Sequence, residues 1–342
     1  MKVSREVLLN KLETVQPGIS PKEIIDQSGC FVFKDGEVMT YNDEVSCRQK
    51  VDLKIEGAVT AAPLLAILRK LTEDVVDIQV LKDGCELRIK GKKKQAGIRM
   101  EAEIRLEIDV VERPKKWKKL HEDFAEAIHI VGQCVGTDES KPTTTCIHIH
   151  PEWVEASDNY QVSQFKMKTG VKTSCLVKQT SLKHIVSLGM TKFSETESWF
   201  HFKNPNGLIV SCRRYVEEFG DTAAILAVKG TPTVLPKGLA EAVDKAEIFS
   251  SETDENQVLI ELRPGKLRIR GEGQTGWYSE VKNLKYDGSP MAFRISPELL
   301  RELTRQHNKC EISHDRLKVD SGRFIYVTAL GRPEADKGDD NE

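Results

Sequence analysis

The hydrophobic positions of the chain follow two periods, one helical and one strand-like. Six stretches repeat apolar residues at three- and four-residue spacing, which predicts amphipathic helices. They are SREVLLNKLETV, TAAPLLAILRKL, KLHEDFAEAIHIV, QTSLKHIVSLG, KGLAEAVDKAEIF and SPELLRELTRQ, and they begin near Ser4, Thr60, Lys119, Gln179, Lys237 and Ser296. Successive starts lie 56, 59, 60, 58 and 59 residues apart, so the pattern predicts six copies of one structural unit.

The stretches between these helices change to a two-residue period, which predicts half-buried strands. The clearest are CELRIKG, EWVEASDNYQVSQFKM, GLIVSC, KLRIRGEG and RLKVDSGRFIYVTAL. Turn sequences rich in Asn, Asp, Pro and Gly stand before most of them, namely KDGEV at 34–38, KDGCE at 82–86, NPNGL at 204–208 and RPGKL at 263–267. Such residues favour tight hairpins, so each unit is predicted to be one helix followed by antiparallel strands.

A unit of this size cannot cover its sheet with one helix, so the units are expected to pair. Three pairs predict three similar domains, at residues 1–112, 113–234 and 235–332, each with two helices packed on antiparallel sheet. The stretches VERPKKWKK at 111–119 and KGTPTVLPKG at 229–238 interrupt the pattern at the two internal boundaries. The predicted fold class is therefore α+β, with all six helices on one common side.

Composition narrows the class of protein without identifying it. Hydrophobic residues form 39% and charged residues 30% of the 342 positions, and no apolar run approaches the roughly 20 residues of a membrane span. The N-terminal stretch MKVSREVLLNKLETV lacks a signal-peptide core, so we expect a cytoplasmic protein that does not enter a membrane. The eight cysteines are scattered without a CxxC pair, which indicates reduced, mostly buried thiols and no metal framework.

The charge is unevenly distributed along the chain. The net charge is −2, yet the last ten residues, PEADKGDDNE, contribute −4, which leaves +2 for residues 1–332. This balance excludes a strongly basic nucleic-acid binder unless the cations gather on one surface. We expect the tail at 333–342 to be disordered and solubilising, with screening of DNA or competition for a partner site as alternatives.

Basic residues recur on the polar sides of the predicted helices, and a common helical side would gather them. They are Arg5, Lys11, Arg69, Lys70, Lys183, Lys237, Lys245, Arg301 and Arg305. The third helix differs, because it carries Glu122, Asp123 and Glu126. Such a surface would bind the phosphates of double-stranded DNA without reading its sequence. For Arg301 and Arg305 a plainer alternative exists, since Glu298 and Glu302 lie three or four positions away and could pair with them.

The order of helices and strands resembles the DNA sliding clamp family, whose bacterial member is the beta subunit of DNA polymerase III. In the last third, AEIFSSE (246–252), GKLRIRGEG (265–273), EVKNLKYDGSPMAFRISPELLRELTRQHN (280–308) and GRFIYVTAL (322–330) follow the family's order. The middle third matches through VEASDNYQVSQFKM (154–167) and the run RYVEEFGD…VLPKG (214–238), the first third through its two helices and CELRIKG. The departures from the family pattern indicate a divergent clamp, with a phage or mobile element as one source we consider.

The resemblance implies a head-to-tail homodimer whose six domains close into a ring around duplex DNA. Such a clamp tethers the replicative DNA polymerase and confers processivity, a clamp loader opens it, and it is not an enzyme and needs no cofactor. The ring is expected to join an edge of the third domain, with Ile248 and Phe249, to an edge of the first, with Ile98 and Met100. The alternative for Ile98 and Met100 is an ordinary core position.

The resemblance also implies a hydrophobic groove that binds partner peptides between the second and third domains. The family's Thr-Asp-Gly-His-Arg-Leu turn matches Ser157, Asp158, Asn159, Tyr160, Gln161 and Val162, its groove proline matches Pro236, and its Met-Pro-Met matches Ala329, Leu330 and Gly331. Only the aspartate of that turn and the proline are kept, so the peptide preference of the family does not carry over. Lys22 and Lys141 match loops that contact DNA in the family.

Two other functions remain open at the level of sequence. His148 and His150, in CIHIHPEW, lie on one side of a predicted strand and could bind a metal together with Asp158. No HExxH, GxSxG, P-loop or GxGxxG stretch supports a catalytic site, however. The second alternative is a clamp-fold scaffold for protein–protein interaction that does not encircle DNA.

Overall fold

The computed structural model describes residues 1–22, 25–81, 84–252, 256–306 and 309–330, with only the backbone described for 302, 305 and 306. The chain forms two compact units. Unit 1 comprises residues 1–125 and 169–217, and unit 2 comprises residues 126–168 and those from 218 onward. The three domain boundaries drawn from the repeat stay a prediction.

Seven α-helices occur among the described residues. They are α1 Arg5–Thr14, α2 Ala61–Lys70, α3 Phe124–Val131, α4 Gln179–Ser187, α5 Ala223–Leu226, α6 Leu239–Ser250 and α7 Pro297–Gln306. Short 3₁₀ turns cover Gln16–Gly18, Ile108–Val110, Gly132–Cys134 and Pro142–Thr145. None of these helices is long and apolar enough to cross a membrane.

The strands are mostly four to seven residues long and pair antiparallel. In chain order they are β1 Lys2–Ser4, β2 Cys30–Lys34, β3 Glu37–Tyr41, β4 Val45–Lys50, β5 Gly57–Thr60, β6 Val75–Val80, β7 Glu86–Lys90, β8 Gln95–Glu101, β9 Lys118–Lys119, β10 Cys146–Ile149, β11 Trp153–Ser157, β12 Gln161–Lys166, β13 Cys175–Lys178, β14 Lys192–Glu195, β15 Trp199–Lys203, β16 Ile209–Arg213, β17 Thr231–Val234, β18 Val258–Arg263, β19 Lys266–Glu272, β20 Trp277–Asn283, β21 Met291–Ile295, β22 Lys309–Ile312, β23 Arg316–Asp320 and β24 Phe324–Ala329.

Unit 1 is built on one continuous sheet, in the order β1-β6-β7-β8-β5-β2-β3-β4-β16-β15-β14-β9. The ladder between β4 and β16, with Cys47 opposite Val210, joins the first part of the chain to a hairpin near residue 200. The helices α1 and α2 bury the side chains of Leu8, Leu12, Leu64 and Leu68. The helices therefore cover the sheet with the apolar stripe that the sequence predicts.

Unit 2 contains the strand order β10-β11-β12-β24-β23-β22-β17 and a separate sheet β20-β19-β18-β21. In the first, β12 pairs with β24 from Gln161 opposite Thr328 to Phe165 opposite Phe324. Leu299, Leu300 and Leu303 of α7 are 1%, 4% and 2% exposed, which confirms the apolar stripe predicted for that helix. The α+β class and the predicted strands are likewise confirmed.

The six predicted helices all form, but two begin later than the pattern suggests. Lys118 and Lys119 form β9 and pair with β14, so the third helix begins only at Phe124. Gly238 has a positive φ of 70° at the cap of α6, a left-handed conformation that ends the preceding segment. Lys237 therefore precedes the fifth predicted helix. The four-residue helix α5 has no counterpart in the predicted pattern.

Candidate nucleic-acid interface and partner groove

The helix pair α1–α2 carries two predicted DNA-binding arginines, and both form bonds within the pair. Arg5 donates from Nε to the carbonyl oxygen of Glu73 and from Nη1 to that of Leu68, both at 3.1 Å. Leu68 lies in the last turn of α2, where helix acceptors lack partners, and Glu73 lies in the loop that follows α2. Arg69 on α2 forms an ion pair with Glu13 on α1 at 2.8 Å. Both arginines therefore join the two helices.

Lysines supply the more accessible cations of unit 1. Lys70 at the end of α2, Lys183 on α4 and Lys22 in the loop after α1 are exposed. Among the described residues, none of these three forms an ion pair. Lys11 is less available, because it is 28% exposed and lies 4.0 Å from Asp52.

In unit 2 the guanidinium of Arg301 is surrounded by acids of the neighbouring helix. It binds both carboxylate oxygens of Glu247, and it lies 3.3 Å from Oδ1 of Asp244. These contacts hold the pKa of Arg301 above its ordinary value, chiefly through the hydrogen bonds from Arg301 to Glu247. The partners come from α6 rather than from α7 itself. Arg301 is thus neutralised by a helix–helix bond, and the side chain of Arg305 lies outside the described part of the structure.

The other predicted cations of unit 2 differ in how they are held. Lys245 on α6 lies 3.4 Å from Glu280 on β20 and 5.8 Å from the ring centre of Tyr278. Lys141 lies 3.9 Å from Asp138 but is 62% exposed. Lys237 is exposed before α6. Lys141 and Lys237 are therefore better placed than Lys245 to meet a phosphate.

Glu298, which the sequence suggested as a partner for Arg301, has other partners. Its carboxylate lies 3.1 Å from Nε2 of His129 and accepts a hydrogen bond of 2.9 Å from Gln133. Ser296 in turn donates to the amide oxygen of Gln133 at 3.3 Å. The first turn of α7 is therefore tied to the end of α3 and the turn after it. The intrahelical pair between Arg301 and Glu298 is not formed.

The predicted groove turn is a rigid hairpin between β11 and β12. Asp158 accepts hydrogen bonds from the backbone N–H groups of Tyr160 and Gln161, both at 2.9 Å, and Asn159 has a positive φ of 77°. The amide of Gln161 donates to Asp158 at 2.9 Å and accepts from the hydroxyl of buried Tyr326 at 2.9 Å. This turn geometry leaves Tyr160 at the tip with 77% of its surface exposed.

The remaining groove positions lie beside this hairpin on β24 and its continuation. The N–H of Ala329 donates to the carbonyl of Tyr160 at 2.7 Å, and Leu330 is 9% exposed. Pro236 is half-buried before α6, and Gly331 lies outside the described residues. Val162 is 1% exposed because it packs with Leu226, Ile325 and Val327. Val162 therefore belongs to a small buried apolar cluster, which includes Leu226, at the position predicted for the groove.

The two predicted interface edges differ in accessibility. Ile248 on α6 is 65% exposed, and Phe249 beside it is half-buried, whereas Ile98 and Met100 on β8 are only 5% and 3% exposed. Ile98 and Met100 face the interior, as the core alternative for them requires, so they offer no surface to a second chain. The side chains of β8 that point outward are those of the alternate residues, such as Arg99.

The histidine pair of β10 is engaged in local contacts. Nδ1 of His148 lies 2.8 Å from Glu155, and the ring of His150 stacks on Trp153 with centroids 3.5 Å apart. Nδ1 of His150 accepts a hydrogen bond from the N–H of Glu152, so its neutral ring carries the proton on Nε2. No cluster of three or more metal-ligating side chains occurs among the described residues. The geometry gives a metal no prepared ligand set in this described region.

Two features of the structure escaped the sequence interpretation, one exposed and one buried. Trp277 and Val281, on the edge strand β20, are 59% and 49% exposed; their alternation in WYSEVKN was the available signal. Leu226 escaped because its four-residue helix is too short to produce a periodic pattern. Leu226 lies in one buried cluster with Val162, which the sequence assigns to the predicted groove.

Comparison with solved structures relates the whole chain to known folds. The DNA polymerase III subunit beta from Pseudomonas aeruginosa matches with a TM-score of 0.73 and 15% identity, covering 97% of this chain and 99% of that one. The beta subunit from Thermotoga maritima matches over the same shares with a TM-score of 0.74 and 14% identity. A putative beta subunit from Eubacterium rectale reaches 0.75 and 16%, over 96% and 98%.

Searches by sequence similarity give no match for this chain. No family model matches the chain, and no curated protein matches it. The likeness therefore lies in the arrangement of helices and strands over nearly the full length of both proteins. The chain has the α+β fold of the DNA polymerase III beta-subunit sliding clamps, as a divergent example of that fold.

Proposed function

We propose that this protein is a DNA sliding clamp, a ring around duplex DNA that tethers a replicative polymerase. The observation that carries the proposal is the match to beta clamps over 97% of this chain and 99% of theirs. A match of that extent leaves little of either chain for a different architecture. The proposed function makes and breaks no bond, and the location is the cytoplasm.

The ring would be a head-to-tail homodimer, which uses two different surfaces of each chain. On one side we propose the edge strand β20 with Trp277 and Val281, together with Ile248 and Phe249 on α6. On the other side we propose β8, whose Gln95–Arg99 segment pairs with β7 and, among the described residues, with no second strand. An exposed strand edge can add a strand from another chain, and exposed apolar side chains favour that contact.

The DNA contacts would come mainly from lysines that no carboxylate of the described residues neutralises. Lys22, Lys70, Lys183 and Lys237 are exposed, and each would release counterions on meeting a phosphate. We rank Arg301 below them, because Glu247 and Asp244 already hold its charge. The weaker contributors in the proposal are Arg5, Lys11, Arg69, Lys141, Lys245 and Arg305.

Polymerase and clamp loader would bind at the hairpin of residues 157–162 and the adjoining strand β24. Tyr160 supports this role, because an aromatic side chain that is 77% exposed on a rigid turn is a favourable anchor for a partner. The alternative, a scaffold of the same fold that does not encircle DNA, would use this site without any ring.

Topology separates these two functions. Concentrated protein is mixed with a closed circular plasmid, so that dimers close around it, and the complex is then diluted and isolated by size. The clamp should stay with the circle and leave once a restriction enzyme linearises it. Equal retention on circular and linear DNA, or a strictly monomeric mass at every concentration, would contradict the clamp and leave the scaffold.

A further inference from the structure

A short segment of unit 2 contains α5 and is held largely by side chains rather than by a strand ladder. Its backbone hydrogen bonds are local, such as Leu226 N–H to Thr222 and Ala227 N–H to Ala223. Ala223, Ala224, Ile225 and Ala227 are exposed, whereas Leu226 is 8% exposed. A single helical turn is not stable by itself, so the position of α5 depends on how Leu226 and its neighbours are anchored.

Leu226 is anchored in the predicted partner groove. It packs with Val162 of β12 and with Ile325 and Val327 of β24. Val162 is one of the positions that match the family's groove turn, and β24 leads directly into Leu330. The side chain of Leu226 therefore occupies the apolar site that a partner was predicted to use. The segment also falls inside the gap between RYVEEFGD and VLPKG, the two stretches that resemble the clamp family.

A buried carboxylate supplies the second anchor. Thr222, which begins α5, donates its hydroxyl hydrogen bond to Oε2 of Glu155 at 2.7 Å. Glu155 is only 3% exposed, and it also accepts hydrogen bonds from Trp153 at 2.8 Å and Gln164 at 3.1 Å. Burial raises the pKa of Glu155, but these hydrogen bonds and that of His148 together lower it by a larger amount. The net shift of the pKa is therefore downward. The shift favours the charged carboxylate, which accepts the hydrogen bond from Thr222.

An aromatic contact continues this anchor on the N-terminal side of α5. Phe219 stacks on His148 with ring centroids 4.9 Å apart and an interplanar angle of 24°. His148 lies 2.8 Å from the same carboxylate through Nδ1. Glu155 on β11 therefore binds Thr222 directly and also contacts His148, the ring on which Phe219 stacks. The segment is fastened at its start by this network and at Leu226 by the groove.

We propose that α5 is a built-in, displaceable occupant of the partner groove. A partner would bind by placing a branched aliphatic side chain of an extended peptide where Leu226 now packs, while α5 moves out. The aliphatic surroundings support this choice of ligand, because Leu226 packs with Val162, Ile325 and Val327. This proposal rests on the proposed groove but not on the ring. The tethered occupant lowers the apparent affinity of any partner by the fraction of molecules in which the groove is open.

The test uses a fluorescent peptide copied from residues 220–229, GDTAAILAVK, binding to the full chain. The Leu226→Ser variant should bind it at least about tenfold more tightly than wild type, because the internal competitor is lost. A control peptide with aspartate in place of the leucine should bind neither protein. Thermal unfolding of each variant establishes that it is folded.

A matched pair of variants isolates the role of the hydrogen bond between Thr222 and Glu155. Thr222→Val removes the hydrogen bond that fastens α5, and it should increase peptide affinity by a few-fold. Trp153→Phe removes another donor to the same carboxylate without touching α5, and it should leave peptide affinity at the wild-type value. Hydrogen exchange at the amides of Leu226 and Ala227 should speed up in the first variant only.

Several results would overturn the proposal. Equal peptide affinity for folded wild type and folded Leu226→Ser would show that Leu226 does not compete for the site. Equal binding of the aspartate peptide would show that the site does not select an aliphatic side chain. Failure of the clamp function gives a different result. Retention of the protein would then be the same on circular and linear plasmid, while the peptide affinities would stay as predicted.

Discussion

In each of the helix pairs α1–α2 and α6–α7, an arginine of the second helix binds acidic side chains of the first. The two contacts differ in the number of carboxylates and in their exposure to solvent. Arg69 meets one carboxylate, Glu13, and the two side chains are 49% and 38% exposed. Arg301 meets Glu247 and Asp244 and is itself 21% exposed. The first pair is a solvent-screened contact, whereas the second is a bidentate, partly buried bond that is expected to stabilise more.

This difference shows that the basic residues of the predicted helices are not equally accessible. Near α1–α2, Lys70 remains exposed beside the arginine bond. On α6–α7, Arg301 and Lys245 are both held by carboxylates, the latter by Glu280. Binding to phosphates should therefore depend on the exposed lysines, while the paired cations should matter for stability. Four experiments test this division.

The largest effect should come from removing exposed lysines. The Lys70→Ala, Lys183→Ala double variant should weaken DNA binding several-fold at low salt and flatten the plot of log affinity against log salt. Removing one lysine–phosphate pair should reduce the magnitude of the slope by about 0.9. Fluorescence anisotropy on a plasmid-length duplex at several salt concentrations measures both quantities. An unchanged slope would remove these lysines from the interface.

Arg301→Ala should mainly affect folding. It leaves Glu247 without its bidentate partner, and loss of a hydrogen bond to a charged group costs about 1.5–3 kcal/mol, less where solvent reaches it. We expect a loss of about 1–2 kcal/mol in the free energy of unfolding, measured with urea, and a DNA salt slope close to wild type. A flattened slope with normal stability would return Arg301 to the DNA interface.

Acid should weaken the bonds of Glu280, whose main partners, Lys282 and Tyr278, lie with it on β20. The hydrogen bond from Lys282, followed by that from Tyr278, lowers the pKa of Glu280 from 4.5 to about 2. A depressed carboxyl pKa stabilises the folded state above about pH 4.5, and that contribution is lost as the pH falls towards 2. Glu280→Gln should reduce the pH dependence of unfolding in this window only. Identical pH profiles for variant and wild type would contradict the assignment.

The smallest effect belongs to Arg69→Ala. An exposed single ion pair contributes about 0–1 kcal/mol, so we expect a change in unfolding free energy below about 0.5 kcal/mol. Glu13→Gln is the matched variant from the other side of the pair and should behave alike. A loss as large as that of Arg301→Ala would erase the distinction between the two helix pairs.

The repeat of helices was predictable because each carries an apolar stripe on a near-constant spacing. Leu299, Leu300 and Leu303 show the reason, since three-residue and four-residue spacing places them on one buried side. Lys119 was misassigned to a helix because its neighbours are polar, and only its partner strand β14 decides its conformation. The local hydrophobic pattern thus predicts whether a segment is a helix or a strand where one of its faces is buried. It does not predict where an element ends when the residues at that end are polar.

The candidate sites were less predictable, because their state depends on residues distant in sequence. Arg301 has suitable acids nearby in its own helix, yet it pairs with Glu247 on α6. Val162 matches the predicted groove by sequence order, yet nothing in that order indicates that it packs with Leu226. Ile98 and Met100 alternate along β8, and a shift by one residue exchanges inside and outside. Such contacts require the assembled fold.

The most direct test of the central claim combines salt with a change in DNA topology. Protein closed around a circular plasmid is washed in about 1 M salt, where screening removes contacts between lysines and phosphates, and the plasmid is then cut once. A ring predicts that the protein stays on the circle through the wash and leaves within the time of linearisation. Loss of the protein during the wash, before any cut, would contradict the claim that it encircles DNA.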